Sequence, residues 1–212
     1  MLFFRKNYET YSDEKLLTLV AKGQEQAFNV FYQRYAGRMH YYFLRMLHQD
    51  EERANDFTQD LFVKVIEHAA KFDPTRKCTT WLYSIASNMC KNEYRRLSRW
   101  NKHQEVFHQE VAETVEVPCG ESGYLPENLD RQLFGRYLDR AISELAPAHR
   151  ECFLLRYREE MSIREISQIL DCPEGTIKSR LHYCLKKLST KLKIFRPDHL
   201  DQKSVDYGKK TR

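Results

Sequence analysis

The sequence predicts an all-α protein in which two helical domains, the second with a helix-turn-helix, are joined by a flexible acidic linker. Apolar residues recur at intervals of three and four along most of the chain, which is the spacing of one helix face. No stretch alternates apolar and polar residues for long enough to indicate a strand. A chain of 212 residues is also long for one compact helical domain and sufficient for two.

Four helices are predicted in the first half of the chain. Ser12 or Asp13 suits the N-cap of the first helix, and Gly23 suits its C-terminal stop. The second helix is long and rich in aromatic residues, and Asp50 suits the N-cap of the third. The fourth follows a loop and ends in a basic stretch. The predicted helices span about residues 12–22, 24–47, 50–71 and 79–99.

The third predicted helix has one apolar face and one acidic, polar face. The apolar face is expected to pack in the core. The polar face, taken alone, is more simply explained as a solvated surface than as a binding site. It contains Asp56, Gln59, Asp60 and Glu67, with Gln59 near its border.

The middle of the chain changes in composition. Between residues 98 and 128 acidic side chains outnumber basic ones, and Pro118, Gly120, Gly123 and Pro126 interrupt any helix. This segment is predicted to be a weakly structured acidic linker. The predicted division is a first domain at 1–97, a linker at 98–128, a second domain at 129–196 and a polar tail at 197–212.

Residues 162–188 predict a helix-turn-helix. Ser162 and Glu165 have the spacing of a capping box, in which each side chain bonds the backbone N–H of the other residue. Pro173 suits the first position of the second helix, where its missing N–H does no harm. The residues of that helix predicted to face inward are Ile177, Leu181, Cys184, Leu185 and Leu188.

The outward face of the second hairpin helix is small and polar at its start and basic further along. The first residues of a recognition helix enter the major groove, while Lys and Arg contact phosphates. The alternative is a solvated basic face on an ordinary helical hairpin. The outward residues are Gly175, Thr176, Ser179, His182, Tyr183 and Lys186, flanked by Lys178, Arg180 and Lys187.

Composition narrows the class of protein further. The net charge is +5, with basic residues concentrated in the second domain, as expected for a nucleic-acid partner. The six cysteines are scattered without metal-site spacing, so we expect reduced thiols, no metal and no cofactor, and we expect Cys152 and Cys184 in the core. No apolar run approaches the ~20 residues of a membrane span, so we expect no membrane insertion and a cytoplasmic location.

Three blocks of sequence carry a resemblance to one family. They are DFTQDLFVKV at 56–65, TTWLYSIASNMCKNEYRR at 79–96 and MSIREISQILDCPEGTIKSRL at 161–181. In this order, and with an acidic linker between the second and the third, they resemble the extracytoplasmic-function (ECF) sigma factors of bacterial RNA polymerase. The resemblance covers roughly residues 10–195.

The resemblance implies a specificity subunit with no catalytic activity of its own. Its first domain would dock on core RNA polymerase and would recognise and melt the downstream promoter element. Its second domain would recognise the upstream element of the promoter DNA. The resemblance also implies control by an anti-sigma factor.

The resemblance further assigns three groups of residues, which we name by their roles. The docking face consists of Asp56, Gln59 and Asp60. In the downstream set, Phe72 and Asn88 would hold a flipped base, while basic residues would contact phosphates. That set consists of Phe72, Asn88, Lys91, Arg95 and Arg96, and the upstream set of Arg156, Thr176, Lys178, Ser179, Arg180, His182 and Tyr183.

Two other classes of protein use a helix-turn-helix. A transcriptional regulator that binds a palindrome as a dimer would need a receiver, ligand-binding or dimerisation domain in the first half. A recombinase or transposase would need a carboxylate triad or an Arg-His-Arg-Tyr arrangement, and neither can be placed in this sequence. Both classes would act without docking on core polymerase.

Overall fold

The structure, a computed structural model, describes residues 7–104 and 127–195, and within these ranges it contains eight α-helices and no strand. The all-α prediction is confirmed. One turn of π-helix at Leu154–Arg158 continues α6 without a break. The α-helices are α1 (Asp13–Val20), α2 (Glu25–Met46), α3 (Glu51–His68), α4 (Cys78–Gln104), α5 (Glu127–Ser143), α6 (Pro147–Phe153), α7 (Ile163–Leu170) and α8 (Glu174–Lys191).

Local capping signals determine where the first helices begin and end. The Ser12 side chain accepts a hydrogen bond from the backbone N–H of Lys15, and Asp50 accepts one from Arg53. These bonds satisfy N–H groups that have no partner within the helix. Gly23 has a φ of 73° in the turn after α1, a conformation that glycine adopts without strain. The predicted starts and stops are therefore confirmed to within a few residues.

The core of the first domain is built largely by α2. Its inward residues, among them Phe31, Tyr35 and Met39, are almost completely buried. Phe31 lies with its ring centroid 6.4 Å from that of Phe62 on α3, in an edge-to-face arrangement favoured by aromatic pairs. The apolar face of α3 is buried as predicted at Ala54, Thr58, Leu61 and Val65.

The second domain confirms the helix-turn-helix and corrects two details. Both bonds of the Ser162–Glu165 capping box are present. Pro173 is the N-cap of α8 rather than its first helical residue, because its ψ of 145° is extended. Leu185 does not face inward: 47% of it is exposed, because the helices packed on α8, namely α5, α6 and α7, leave this side of it open.

The two domains pack against each other. Helix α7 lies against α4, and α6 lies against the C-terminal part of α2, so that one cluster of buried apolar side chains runs through both domains. The sequence predicts two domains on a tether and gives no indication of this contact. The closed arrangement of the two domains is therefore a finding of the structure.

The ends of the predicted linker are helical. Helix α4 runs to Gln104, beyond the predicted boundary at residue 98, because no Gly or Pro interrupts residues 98–104. Residues 105–126, which carry most of the predicted acidic linker, and the predicted tail at 197–212 lie outside the described residues. Within the two described ranges, no helix combines the length and the apolar character that crossing a bilayer requires.

Candidate polymerase and promoter interfaces

The docking face lies on the outer side of α3 and is open to solvent. Asp56, Gln59 and Asp60 are all exposed, one helix face away from the buried residues of α3. Ile66, which the sequence analysis did not single out, is 53% exposed on the same helix, and Val63 is 54% exposed. Both lie at helical spacing from Gln59, so they add apolar surface to the docking face.

Phe72 is not exposed as a base-stacking residue would be. It is 7% exposed, and its ring centroid lies 5.3 Å from that of Trp81, which is half-buried against the core. Asn88 lies exposed on α4. In this conformation the structure therefore offers the exposed Asn88 side chain, but not the Phe72 ring, to a ligand.

The loop between Phe72 and α4 is ordered without a glycine. The Asp73 carboxylate accepts hydrogen bonds from the backbone N–H of Thr75 at 3.0 Å and from its hydroxyl at 2.7 Å. These bonds lower the pKa of Asp73, because they stabilise its charged form. The side chain thus closes the turn through its own backbone, as Asp often does in loops.

The basic residues of the downstream set make different contacts. Lys91 donates to the backbone oxygen of Leu170 at 3.1 Å, which ties it to the C-terminal end of α7. Arg96 binds Glu93 through two bonds, of 2.8 and 2.7 Å, and the hydrogen bonds lower the pKa of Glu93. Arg95 is exposed and donates to Asn92 at 3.2 Å. Only Lys91 of this set is engaged by the second domain through a hydrogen bond that the structure records.

The upstream set lies mainly along the exposed side of α8. Lys178, Ser179 and His182 are exposed, and Thr176 is half-buried. At the start of this helix a Cβ added to Gly175 would meet no atom within 4 Å, so the N-terminal turn of α8 is open to an approaching ligand. This geometry suits a helix whose first turns enter the major groove.

The other members of the upstream set are held by their own domain. Arg156 donates to the backbone oxygen of Met161 at 2.8 Å, which stabilises the turn that leads into α7. Tyr183 is 48% exposed, and its ring lies 4.7 Å from that of His149. Arg180 is half-buried, with Nη1 3.8 Å from the sulfur of Cys172. The structure thus separates exposed candidates for base reading from side chains that also support the hairpin.

A cleft of about 270 Å³ lies between the domains and contains residues of both promoter sets. Lys91 and Arg95 line it from the first domain, and Arg180 and Glu151 line it from the second. Burial raises the pKa of Glu151, since desolvation disfavours the charged carboxylate. A cleft of this volume is too small to admit duplex DNA, whose major groove alone is about 12 Å wide.

The residues that join the domains are not among those predicted from the sequence. Tyr42 and Glu151 are 1% and 4% exposed, and the Tyr42 hydroxyl donates to Glu151 Oε1 at 2.7 Å. Arg150 is 1% exposed and binds backbone oxygens of both domains. The only available signal was an adjacent Arg and Glu in the short apolar segment at 147–155. The five cysteines within the described ranges are free, with Cys152 and Cys184 buried as predicted, and burial raises the pKa of Cys152 to about 11.

The two domains match two models of one family. The Sigma-70 region 2 model matches residues 31–100, and the Sigma-70, region 4 model matches residues 135–188. The ECF RNA polymerase sigma factor SigW of Bacillus subtilis is 31% identical over 174 residues, which are 80% of this chain and 90% of that protein. The ECF RNA polymerase sigma-E factor of Escherichia coli (strain K12) is 28% identical over 191 residues, covering 87% and 96%.

Two solved structures share the fold. The sigma factor RpoE, in complex with the anti-sigma factor NepR from Bartonella quintana, superimposes with a TM-score of 0.61 at 21% identity, over 80% of this chain and 98% of that one. CnrH, in complex with the cytosolic domain of CnrY, gives a TM-score of 0.60 at 23% identity, over 85% and 97%. This likeness shows a shared fold. The two matched regions and the extent of the SigW match show that the chain belongs to the family of ECF RNA polymerase sigma factors.

Proposed function

We propose that this ECF sigma factor docks on core RNA polymerase through the outer face of α3 and directs it to promoters that α4 and α8 recognise. The observation that carries the proposal is that the region 2 and region 4 matches fall on domains whose outer helices expose separate polar faces. An acidic face and a basic face on different domains suit a chain that bridges a protein and DNA.

Docking is assigned to Asp56, Gln59 and Asp60 because they are exposed on a helix whose opposite face is buried. Their charge would complement a basic surface on core polymerase, and Ile66 adds an apolar contact beside them. Charge complementarity speeds association and fixes orientation, while the apolar contact adds affinity.

Upstream recognition is assigned first to the start of α8. Lys178, Ser179 and His182 project from an open face, so they can reach base edges when the helix lies in the major groove. Arg180 joins them once it leaves the cleft, and Arg156 and Tyr183 support the hairpin. Thr176 lies at the entry of the helix, where small side chains permit close approach.

Downstream recognition and melting are assigned to α4 and the loop before it. Asn88 is exposed where a flipped base could be bonded, and Arg95 and Arg96 could contact phosphates beyond it. Phe72 would stack on that base only after its ring leaves the Trp81 contact. Melting by this domain therefore includes a local rearrangement of the loop.

The remaining parts of the proposal concern partners and place. The protein would act without catalytic chemistry of its own, in the cytoplasm, where polymerase and promoter DNA meet. The two structural neighbours were each solved with another protein bound, NepR being named as an anti-sigma factor. An anti-sigma factor is the regulator that we propose for this chain as well.

Run-off transcription with purified core polymerase on a promoter library tests this function and returns the promoter motif. We expect transcripts that start downstream of a shared pair of elements, and only when the chain is present. Co-elution of the chain with core enzyme is the matched binding assay. Tight, sequence-specific DNA binding by the isolated chain, with no association with core enzyme, would instead identify an ordinary helix-turn-helix regulator.

A further inference from the structure

Buried polar side chains cross the contact between the two domains. The Tyr42 hydroxyl on α2 donates to the Glu151 carboxylate on α6 at 2.7 Å, and neither side chain reaches solvent appreciably. The two residues are 109 positions apart in the chain. A buried bond to a carboxylate contributes more than an exposed one, because breaking it without solvent leaves a desolvated charge.

Arg150 binds both domains with one guanidinium group. Its Nη1 donates to the backbone oxygens of Arg45 at 3.1 Å and of Met46 at 3.3 Å, at the C-terminal end of α2. Its Nη2 donates to the oxygens of Ser143 and Leu145, at the C-terminal end of α5. The last carbonyls of a helix lack partners within the helix and carry a partial negative charge. A single cation therefore stabilises one helix end in each domain.

Ion pairs whose cations are exposed surround these buried contacts. Lys77 on the first domain meets Glu165 on the second at 2.8 Å, and Arg38 meets Glu159 at 2.6 Å. The Lys77–Glu165 pair has a largely exposed cation and contributes little free energy, whereas the Glu159 side chain is only 6% exposed and its pair with Arg38 contributes more. The contacts of Tyr42, Arg150 and Glu151 are the polar contacts of the interface in which every side chain is buried.

The closed arrangement covers residues to which we assign promoter contacts. Lys91 is bound to the end of α7, and Arg180 lies in the same narrow cleft as Lys91 and Arg95. A helix that packs on α4 also prevents duplex DNA from lying along it. Neither promoter set can be fully presented until the domains separate.

We propose that Tyr42, Arg150 and Glu151 form an interdomain latch that holds the free chain in a closed, autoinhibited conformation. The inference rests on the proposed function, because inhibition here means that the two promoter-reading surfaces block each other. The latch itself is a property of the free chain and is measured without polymerase or DNA. Opening replaces its bonds with bonds to water, so the latch is reversible by any partner that separates the domains.

The test compares two tyrosine substitutions on the same helix. Tyr42→Phe removes only the hydroxyl that crosses the interface. Tyr35→Phe is the matched control, because the Tyr35 hydroxyl donates to Asp13 at 2.5 Å within the first domain. Energy transfer between fluorophores at the exposed positions Glu52 and Ser189, carried on unnatural amino acids in the full chain, reports domain separation.

We expect high transfer efficiency in the wild type and in Tyr35→Phe. Tyr42→Phe should lower the closed-to-open ratio roughly ten- to a hundredfold at pH 8. Equal efficiency in Tyr42→Phe and the wild type, with native circular dichroism, would overturn the latch. Low efficiency in the wild type would overturn it as well.

A second variant keeps the test decisive should Tyr42→Phe fail to fold. Glu151→Gln retains an oxygen that accepts from Tyr42 and removes the buried charge, so it should stay closed. An open Glu151→Gln chain would contradict the proposal. The rate of transcription initiation with core polymerase then distinguishes the latch from the inhibition. An open Tyr42→Phe chain should initiate faster than the wild type. An unchanged initiation rate in that variant would refute autoinhibition and leave the sigma-factor function intact.

Discussion

Two helices of the first domain carry polar faces, and these faces have different surroundings. The outer face of α3 is open to solvent at its docking residues, whereas α7 covers part of α4 and Lys91 donates to the end of α7. The two proposed roles therefore differ in the conformational change that they require. Docking on polymerase through α3 needs no rearrangement, while promoter reading through α4 and α8 requires the domains to separate.

The largest effect is expected from substitutions on the docking face of α3. Asp56→Lys combined with Asp60→Lys should weaken association with core polymerase by about a thousandfold or more, since attraction becomes repulsion across the interface. Helicity should be unchanged because both residues are exposed. Affinity is measured by co-elution and titration, with circular dichroism on the same samples.

The matched control reverses two exposed acids outside α3, Glu9→Lys with Glu25→Lys. It carries the same change in net charge and should bind core enzyme nearly as well as the wild type. Equal losses in both double variants would show that overall charge, not the α3 face, governs binding. A loss of helicity in the docking variant would assign these residues a structural role.

The next effect concerns the loop beside α4. Phe72→Ala should cost about 3 kcal/mol of folding stability, because it removes a buried ring that packs on Trp81. The same variant should slow open-complex formation at every promoter, and a template already mismatched at the melted position should restore part of the rate. Denaturant unfolding measures the first quantity and permanganate footprinting the second.

Asn88→Ala is the control for this experiment because Asn88 is exposed. It should change the free energy of unfolding by less than about 0.5 kcal/mol and should weaken the base preference at one downstream position. Normal strand opening by both variants would mean that Phe72 only packs and that Asn88 is a solvated side chain.

A smaller effect is expected on the α8 side. Arg180→Ala should cost about 1–3 kcal/mol of upstream-element recognition and relax preference at one base pair, since a good Arg contact to a base contributes that much. Lys178→Ala should weaken binding to all promoter sequences alike if Lys178 contacts phosphate. Initiation from promoter variants with single upstream substitutions distinguishes the two outcomes. A promoter that depends on its upstream element yet initiates normally with Lys178, Ser179, Arg180 and His182 all changed to Ala would refute the assignment.

The smallest expected effect is a pH dependence of closure. Burial raises the pKa of Glu151 in the closed chain, so the closed state keeps its proton at a pH where the open state has lost it. Closure is therefore favoured below the usual carboxyl range and weakens as pH rises through the raised pKa. The closed fraction, measured by energy transfer, should fall between pH 5 and pH 8 in the wild type. It should not fall in Glu151→Gln.

The titratable groups around Glu151 support this direction. Tyr42 on α2, Cys90 on α4 and Cys152 on α6 are buried neutral groups whose pKa burial raises, while Lys91 and Arg180 lower the pKa of Glu151 by less than burial raises it. Glu165 behaves oppositely: its bond to Lys77 and its capping bonds lower its pKa to about 2, so its contribution is lost only as pH falls toward that value. It therefore does not contribute between pH 5 and pH 8.

Much of the fold could be predicted because its signals are local. Ser12, Asp50 and Ser162 cap helices through bonds to residues three positions away, so the sequence alone contains both partners. The exposed positions of α3 follow from helical spacing in the same way. Residue type and spacing also predicted the helix-turn-helix.

The features that could not be predicted depend on distant residues. Arg150 binds carbonyls about a hundred positions away, and backbone carbonyls carry no sequence signature. Leu185 matches the apolar spacing of α8 yet lies exposed, because spacing does not show how wide a neighbouring surface is. Phe72 was assigned by resemblance to a reading role, whereas its burial against Trp81 depends on how the loop folds in this chain.

The π-helical turn after α6 determines the direction in which the chain leaves α6 toward α7. The backbone N–H of Glu159 bonds to the oxygen of Leu154, five residues back, so this turn contains one residue more than a regular α-helical turn. Each residue of an α-helix advances the chain by about 100° around the axis. Deleting one residue from Leu154–Arg158 would restore the regular turn and re-aim the start of α7 by about that angle. The orientation of the hairpin on α6 thus depends on a single inserted residue, which makes chain length at this turn more constrained than residue identity.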